Sequence, residues 1–319
     1  MIKILCVYLF LSFHMFAFSK TLIFTTAFNR PDFVELQCKL FAKFLEDDYE
    51  FHVVSDAQTV STRNAIEFKC KELGINCINV PQAIHDLPYL PRYKGEGCNK
   101  NSPNVRHCTA AQWAWNTYFS RHEGPVLIID SDMFLIRPLS IEKLLENKHF
   151  AGVLWGTEDQ ITKEPFSYLW LALIFFNNQI LPDRSSISFN CGKIPETNII
   201  CDSGGQTGLY LRRFKGELNI HYLDWQQGHK FYCPYRYAPE NLQNFSQISQ
   251  NEICQDLRNR KFTEDEINLV LKKPYTIELI HGNHFLHYRA GINYEKYSEE
   301  FISKKDRILF SFFETILAK

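Results

Sequence analysis

The sequence has no excess of charge of either sign. Its 319 residues include 35 Lys and Arg against 36 Asp and Glu, which gives a formal net charge of −1, and no long basic run stands out. A protein that binds nucleic acid through bulk electrostatics presents a basic surface, so nucleic acid is not an expected partner. With 45% hydrophobic and 22% charged residues, the composition is that of a globular protein large enough for a sizeable core.

The sequence also lacks a Cys-x-x-Cys pair, which argues against a structural zinc site. Nine of the ten cysteines follow Ser19, and an odd number leaves at least one without a partner in the chain. Cys98 and Cys108 are ten positions apart, as are Cys191 and Cys201, so both pairs are candidate disulfides in an oxidising compartment. Buried, reduced thiols are the alternative for the same four residues.

The N-terminal apolar stretch is too short for an ordinary membrane-spanning helix. It runs from Ile4 to Phe18, 15 residues, whereas a span takes about 20. Ala17 and Ser19 place small residues at −3 and −1 of a cut after Ser19, the pattern of a signal peptide. We therefore expect residues 1–19 to be a signal peptide, or alternatively a short membrane anchor, and residues 20–319 to form the mature domain. The protein would be exported to an ER or Golgi lumen or to the cell envelope, with at most an N-terminal membrane association.

The first half of the chain alternates strand-like apolar runs with segments of helical periodicity. We expect strands at 21–28, 51–55, 75–80 and 126–129, and helices at 33–45, 61–73 and 107–119. This alternation predicts an α/β protein, a single domain with a central, mostly parallel sheet. Ser140 is placed to cap a further short helix, and Pro81 to Asn104 reads as a long loop.

The second half is less regular. The apolar run from Tyr168 to Asn177 does not distinguish a helix from a strand by periodicity, and we favour a buried strand. Gly208 to Arg212 also reads as a strand. The stretch "YTIELIHGNHFLHYRAG" is expected to end the fold.

Polar side chains follow several predicted strands where each strand ends. Asp130-Ser131-Asp132 ends the aliphatic run of "VLIIDSDMFLIRPL", Asp56 ends the second strand, and Asn29 and Arg30 follow the first. In α/β sheets ligands bind at the carboxyl ends of the strands. Two Asp side chains around one small residue can converge on one cation, and their hard oxygens suit Mg²⁺ or Mn²⁺. The alternative is a polar turn that closes the strand, with Asp132 as a local cap.

Five stretches, in this order, resemble glycosyltransferases of the GT-A fold, which use nucleotide-diphosphate sugars: "TTAFNRPDF", "VVSDA", "VLIIDSDMFLIRPL", "DSGGQ" and "HFLHYRAG". The last is similar to the C-terminal His motif of glycosyltransferase family 8. Together they span about Thr21 to Gly291. The chain departs from that motif at Ile292-Asn293-Tyr294, where the family usually continues into Lys-Pro-Trp, so retaining or inverting stereochemistry stays open.

The resemblance implies a metal site and a donor site. Asp130, Asp132 and His287 would bind Mn²⁺ or Mg²⁺, with His281 and His284 as rivals of His287. Donor contacts would come from the loop after the first strand, the second strand, the Asp turn, the glycine loop and the C-terminal motif: Thr25, Thr26, Ala27, Phe28, Asn29, Arg30, Asp56, Asp130, Ser131, Gly204, Gly205, Gln206 and Arg289. Arg106 and His107, before the motif strand, would contact the donor or be solvated at the surface.

The expected function is therefore a metal-dependent glycosyltransferase with a nucleotide-diphosphate sugar as donor and an unidentified glycan, lipid or protein as acceptor. An inverting enzyme needs a carboxylate base near the acceptor hydroxyl, and Asp202, Glu158 and Asp159 are the candidates. A non-catalytic nucleotide- or sugar-binding protein on the same fold is the alternative. A metal-dependent phosphoesterase would need a further nucleophile or a second metal cluster.

Overall fold

The computed structural model describes residues 19–86, 103–159, 161–194, 197–227, 230–232, 254–255, 257–271, 278–281, 284–288 and 298–319. The strands are β1 Thr21–Ala27, β2 Tyr49–Ser55, β3 Asn76–Asn79, β4 Pro125–Asp130, β5 Met133–Leu135, β6 Phe150–Glu158, β7 Pro165–Asn177, β8 Gly192–Lys193, β9 Ile200–Cys201, β10 Ile220–Tyr222, β11 Trp225–Gln227, β12 Lys230–Tyr232, β13 Glu278–Ile280 and β14 Phe285–His287. The helices are α1 Pro31–Phe44, α2 Val60–Leu73, α3 Gln82–Asp86, α4 Pro103–Thr117, α5 Ile141–Leu144, α6 Thr207–Arg213, α7 Glu264–Leu271 and α8 Glu299–Ala318.

A seven-stranded sheet forms the centre of the fold, in the order β10-β6-β7-β4-β1-β2-β3. Its strands run in the same direction except β7, which is antiparallel to both neighbours, β4 and β6. The predicted α/β fold with a mostly parallel central sheet is confirmed. The carboxyl ends of β1, β2 and β4 therefore meet at one edge of the sheet.

A five-stranded sheet, in the order β12-β11-β13-β14-β5, packs beyond that edge. Its pairings are antiparallel, and β14 pairs with β5 so that His287 is opposite Met133 and Phe285 is opposite Leu135. Because β5 begins directly after the Asp turn, this pairing brings a late segment of the chain to the end of β4.

The helices start and stop where local chemistry favours it. Pro31 opens α1, where its missing N–H costs no hydrogen bond. The Thr59 side chain accepts from Thr62 N–H at the start of α2, and Gly74, with φ +67°, ends that helix. The predicted Ser140 cap is confirmed: its side chain accepts from Lys143 N–H.

The helices also bury apolar faces on the sheets. Helix α1 packs Val34 and Phe41 against the sheet with Ile23 and Phe51, and α4 packs Trp115 on the opposite face with Phe24. Helix α8 contacts α1 through Phe312 and Phe313, in a cluster with Phe33, Leu36 and Leu40. None of the described helices is both long and apolar enough to cross a bilayer.

Several predicted elements are confirmed and others are wrong. The buried strand at 168–177 is confirmed as part of β7, and α4 begins at Pro103, four residues before its predicted start. The strand predicted at 208–212 is wrong, because this segment is helix α6. A short apolar run does not distinguish the two, and Thr207 fixes the helix by bonding the Gly204 carbonyl at 2.7 Å and Leu169 N–H at 2.8 Å.

Three further predictions differ from the structure. The fold does not end with the His-rich stretch, since α8 follows it. The predicted loop at 81–104 begins with helix α3, and residues 87–102 of it lie outside the described part. The candidate Cys191–Cys201 disulfide is not formed, and both residues are buried cysteines, as in the alternative; Cys98 is outside the described residues.

Candidate metal and nucleotide site

The Asp130-Ser131-Asp132 turn is held from two sides. Gln37, a buried residue of α1, donates its side-chain N–H to the carbonyls of Asp130 at 2.7 Å and Met133 at 2.8 Å. From the other side, the Tyr288 N–H donates to the Asp132 carbonyl at 2.7 Å. The backbone of the turn is therefore fixed by three hydrogen bonds from two distant segments.

Asp130, Asp132 and His287 converge in this turn. Each offers one possible metal-ligand atom, and these atoms lie within 4.8 Å of one another. His287 Nε2 is 3.5 Å from Asp132 Oδ1, and Asp132 is only 6% exposed. The His287 ring packs edge-on against Trp170, with ring centroids 5.2 Å apart, which limits its rotation.

The rival histidines lie elsewhere in the structure. His281 and His284 flank the turn between β13 and β14 and pack against each other, with ring centroids 4.8 Å apart. His221, on β10, packs edge-on against His281 at 5.7 Å. The geometry therefore favours His287 as the third ligand.

The electrostatics of the turn favour a bound cation. Burial raises the pKa of Asp130, and the carboxylates of Asp132 and Asp202 raise it further, while His107 and His287 lower it. Carboxylates that crowd together without enough positive charge are relieved by a divalent ion. Two carboxylate oxygens and one imidazole nitrogen form a donor set that suits Mn²⁺ and also accommodates Mg²⁺.

A chain of polar contacts links β4 to α4 and β1. His107 Nε2 lies 3.0 Å from Asp130 Oδ1, and His107 Nδ1 lies 2.7 Å from Thr26 Oγ1. The sequence predicts that His107, like Arg106, contacts the donor or is solvated, but it does not predict this pairing with Asp130. Its place opposite Asp130 depends on how α4 crosses the sheet, which the local sequence does not encode.

Arg106 and Asp56 form a second polar group at the same edge. Arg106 donates to the carbonyl and to Oδ1 of Asp56, both at 2.8 Å, and both residues are buried. The alternative of an Arg106 solvated at the surface is therefore wrong, while its predicted contact with the donor stays a prediction. His85 Nε2, on α3, lies 2.8 Å from Asp56 Oδ1, and nothing in the local sequence marked it.

The loop after β1 is only partly directed toward this edge. Thr25 and Ala27 are buried in the sheet, on the strand face opposite to that of Thr26, and Phe28 and Asn29 are partly buried. Arg30 is buried, pairs with Asp32 at 2.6 Å and Asp306 at 3.3 Å, and stacks on the Phe33 ring. Arg30 thus joins α1 to α8 and already has two carboxylate partners.

The glycine loop, Ser203 to Gln206, packs tightly on β7. Gly204 has φ +85°, and a Cβ there would lie 2.4 Å from the Leu169 carbonyl oxygen; a Cβ on Gly205 would lie 2.0 Å from that of Cys201. The loop does approach its neighbours closely, but those neighbours are the protein's own atoms: the β7 backbone at Gly204 and the Cys201 side chain at Gly205. Ser131 and Gln206 are both buried, and Gln206 accepts from Ser188 Oγ at 2.8 Å.

The three candidate bases occupy different environments. Asp202 is exposed, accepts from the Asn104 side chain at 2.7 Å, and is near enough for its charge to act on Asp130. Asp159 instead closes the turn between β6 and β7, where N–H groups at 161, 162 and 198 donate to it and lower its pKa. Glu158 is exposed beside Lys163 at 3.3 Å. Among the described contacts, only Asp202 is linked to the metal-ligand group.

Arg289, the last predicted donor contact, lies outside the described residues. Two residues that sequence reasoning missed, Gln37 and His85, support the site through the Asp turn and Asp56. Gln37 could have been noticed, because it interrupts the apolar face of α1 between Phe33 and Phe41. His85, on α3, has no comparable local signal.

No protein-family model matches the sequence, and no curated protein matches it. Among solved structures, the fold aligns with the galactosyltransferase LgtC in complex with donor and acceptor sugar analogues, at 15% identity and a TM-score of 0.32, over 50% of this chain and 58% of that one. The alignment with glucosyl-3-phosphoglycerate synthase from Mycobacterium tuberculosis, in complex with Mn²⁺, UDP and glucosyl-3-phosphoglycerate, has 15% identity, a TM-score of 0.36 and coverages of 64% and 69%.

A third alignment is with core-mannan synthase A from Aspergillus fumigatus in its Mn/GDP form, at 9% identity, a TM-score of 0.34 and coverages of 51% and 60%. The chain thus spans less than two thirds of the length of the first of these structures. Identities and scores this low carry no argument about activity, which has to come from the site itself.

Proposed function

We propose that this protein is a metal-dependent glycosyltransferase of the GT-A type, which moves a sugar from a nucleotide-diphosphate donor to an acceptor. The observation that supports this most directly is the convergence of Asp130, Asp132 and His287 at the carboxyl end of a central strand. The order of the five resembling stretches agrees with it. Donor sugar, base and acceptor stay open.

Asp130, Asp132 and His287 would hold Mn²⁺ or Mg²⁺ through two carboxylate oxygens and one imidazole nitrogen. Bound there, the ion supplies Lewis acidity to the diphosphate as the sugar–phosphate bond breaks. The protein's part is to keep the ligands in place before the reaction, which Gln37 and Tyr288 do through the backbone of the turn.

Neighbouring residues would bind the rest of the donor. His107 orients Asp130 and is itself oriented by Thr26, so Asp130 can face the ribose on one side and the metal on the other. Arg106 and His85 hold the Asp56 carboxylate at the end of β2, beside the expected nucleotide pocket. Asp56→Ala should weaken nucleotide binding more than metal binding.

Asp202 is the carboxylate that we assign to the acceptor side. It is exposed and near Asp130, whereas Asp159 is committed to a turn. In an inverting reaction Asp202 would take the acceptor's hydroxyl proton while the acceptor oxygen bonds to the anomeric carbon and the diphosphate leaves. The stereochemical course itself is left open.

The test is a calorimetric titration of Mn²⁺ in the absence and presence of UDP or GDP, followed by assays of nucleotide release from UDP- and GDP-sugars. Asp132→Asn should abolish most metal-dependent nucleotide binding, and His287→Ala should weaken metal affinity by roughly 10- to 100-fold. The exposed Asp265→Asn and the distant His284→Ala are matched controls that should behave like wild type.

Three outcomes would contradict or modify the transferase proposal. If Asp132→Asn binds Mn²⁺ and nucleotide as well as the wild type does, the transferase proposal is wrong. If His284→Ala weakens Mn²⁺ binding and His287→Ala does not, only the assignment of the third ligand is wrong. Donor binding without release of nucleotide from any sugar donor would favour a non-catalytic binding protein.

We also propose that the protein is exported, with residues 1–19 removed as a signal peptide. This rests on the apolar stretch and on the small residues before the cut. Sequencing the N-terminus of protein made in its own host should find Lys20. Intact Met1 in a membrane pellet would instead identify an anchor.

A further inference from the structure

A lysine lies on the buried face of α8. The inward-facing residues around it are apolar: Ile302, Ile308, Leu309, Phe312 and Phe313. Lys305 is 1% exposed, whereas its neighbour Lys304 is exposed and pairs with Glu300 on the helix surface. Burying an ammonium group is unfavourable unless nearby groups compensate its charge, so the surroundings of Lys305 indicate what it faces.

The Lys305 ammonium packs on Tyr288, a residue that holds the metal-ligand turn. Its Nζ lies 3.6 Å from the centroid of the Tyr288 ring, and the Tyr288 N–H donates to the Asp132 carbonyl. Burial lowers the pKa of Lys305 to about 8, and the Asp132 carboxylate is the largest of the charges that oppose this shift. Lys305 therefore lies within the electrostatic range of a predicted metal ligand.

The position of Lys305 is fixed by the residue that follows it. Asp306 accepts from the Tyr288 hydroxyl and pairs with Arg30 at 3.3 Å, so α8 is tied both to β14 and to the start of α1. Helix α8 also shares a packed apolar cluster with α1. Lys305 is thus carried by a well-anchored helix, as a group that binds a ligand precisely has to be.

A bound metal ion would change the balance of charge around the Lys305 ammonium. The carboxylates of Asp132 and Asp306 compensate the ammonium. A dication held by Asp132 would share one of these carboxylates and bring a second positive charge near the lysine. An anion placed between them removes this repulsion. The diphosphate of a nucleotide is such an anion, and it gains negative charge as its sugar leaves.

We propose that Lys305 contacts the phosphate oxygens of a nucleoside diphosphate bound at the Asp130–Asp132–His287 group. This inference rests on the proposed function and adds a binding residue from the C-terminal helix. It makes metal and nucleotide binding mutually dependent: Lys305 disfavours the ion alone and favours the ion together with the diphosphate.

The test is a pair of calorimetric titrations of the full chain, with Mn²⁺ alone and with UDP or GDP in saturating Mn²⁺. Lys305→Met, close in size and without charge, should bind Mn²⁺ alone about threefold or more tightly because a repelling charge is gone. It should bind the diphosphates about tenfold to a hundredfold more weakly because a charged hydrogen bond is lost. Lys304→Met should match the wild type in both titrations.

The two opposite changes separate this role from a merely structural one. Lys305→Met overturns the Lys305 proposal if it weakens the binding of Mn²⁺ and of nucleotide to the same extent. It also does so if it binds diphosphate as tightly as wild type while Asp132→Asn does not. Either result leaves the transferase proposal standing. UMP and GMP provide a second measurement that does not depend on folding of the variant: in wild type they should bind much more weakly than UDP and GDP. Equal affinities for mono- and diphosphates overturn the proposal, and a wild type that binds no diphosphate overturns both.

Discussion

At the scale of single residues, Gln37 shows how a side chain far from any motif shapes the site. Its amide N–H groups donate to the carbonyls of Asp130 and Met133, at the two ends of the Asp turn. Buried carbonyls that lose a partner retain the full cost of their desolvation. The turn should therefore depend on Gln37 for its conformation as well as for its stability.

We predict that Gln37→Met lowers the free energy of unfolding by about 1–3 kcal/mol, because two buried carbonyls lose their donor. The same variant should weaken Mn²⁺ binding although it removes no ligand. Urea unfolding and Mn²⁺ titration measure the two effects. Lys39→Met, on the exposed side of the same helix, is the control. Unchanged Mn²⁺ affinity in a destabilised variant would show that the turn keeps its shape without Gln37.

The environment of His281 makes protonation of its imidazole ring unfavourable. Burial, together with smaller contributions from His284 and His221, lowers its pKa to about 3. The charged residues that act on His221 are Lys148 and Asp224. The backbone carbonyl of Asp224 also accepts a hydrogen bond from the backbone N–H of His281. Between about pH 6.5 and 3 the unfolded chain therefore binds a proton here that the folded chain does not.

We predict that this histidine makes the fold acid-sensitive. The free energy of unfolding should fall as the pH is lowered from 7 to 5, by up to about 2 kcal/mol from this group. His281→Asn should remove this part of the pH dependence, because Asn does not titrate and tolerates the positive φ of 54°. Unfolding curves at both pH values measure it; parallel pH profiles for wild type and variant would contradict the prediction.

At the scale of elements, the contact between the glycine loop and β7 fixes one side of the site. Ser203 to Gln206 is bonded to β7 through the Leu171 N–H and to the segment before β8 through the carbonyls of Phe189 and Asn190. Asp202 leads into this loop. Its distance from the metal-ligand turn is therefore set by how closely the loop approaches the strand.

We predict that Gly204→Ala destabilises the fold by about 2–4 kcal/mol, since it combines a positive φ with a clash against the Leu169 carbonyl. Gly216→Ala is a close control: its φ is +90°, yet a Cβ there meets nothing within 4 Å. That variant should lose only about 1–2 kcal/mol. Thermal unfolding compares the stability of the two variants. Equal losses of stability would mean that the loop shifts to accommodate the methyl group at position 204, which would contradict the prediction.

The elements also show what sequence reasoning can and cannot predict. Strand β4 and its Asp turn were predictable because four buried aliphatic residues lead directly into two carboxylates, and β7 because its apolar run is long. Helix α6 was mistaken for a strand because its apolar residues are consecutive. Its conformation comes from contacts of Thr207 with β7, which are not local.

The site itself was only partly predictable. Asp130, Asp132 and His287 came from motif order, and the structure places them together. The pairing of β14 with β5, the crossing of α4 that brings His107 to Asp130, and the inward turn of Lys305 all depend on tertiary packing. No periodicity in one segment carries information about which other segment it will meet.

At the scale of the whole molecule, the three proposed metal ligands come from distant parts of the chain. Two of them end a central strand, while the third belongs to the antiparallel sheet and is supported by α8. A ligand that binds all of them stabilises the folded state as a unit, since the unfolded chain has no such site.

We predict that Mn²⁺ and a diphosphate together raise the melting temperature more than either alone. At about 100-fold over Kd the stabilisation is about 2.7 kcal/mol, which for a chain of this size is a rise of roughly 5 °C. Differential scanning fluorimetry measures it. Asp132→Asn should show no rise, and an equal rise in that variant would mean that the ions bind elsewhere.

The pairing of β14 with β5 also sets an order of events during synthesis. A ribosome releases the Asp turn long before His287 and α8, so the emerging chain carries a bare edge at β5 and uncovered Phe33 and Leu40. Metal cannot assist this early folding, because its third ligand does not yet exist. The nascent chain therefore keeps this strand edge and these apolar side chains uncovered until the segment that completes the proposed metal site has been made.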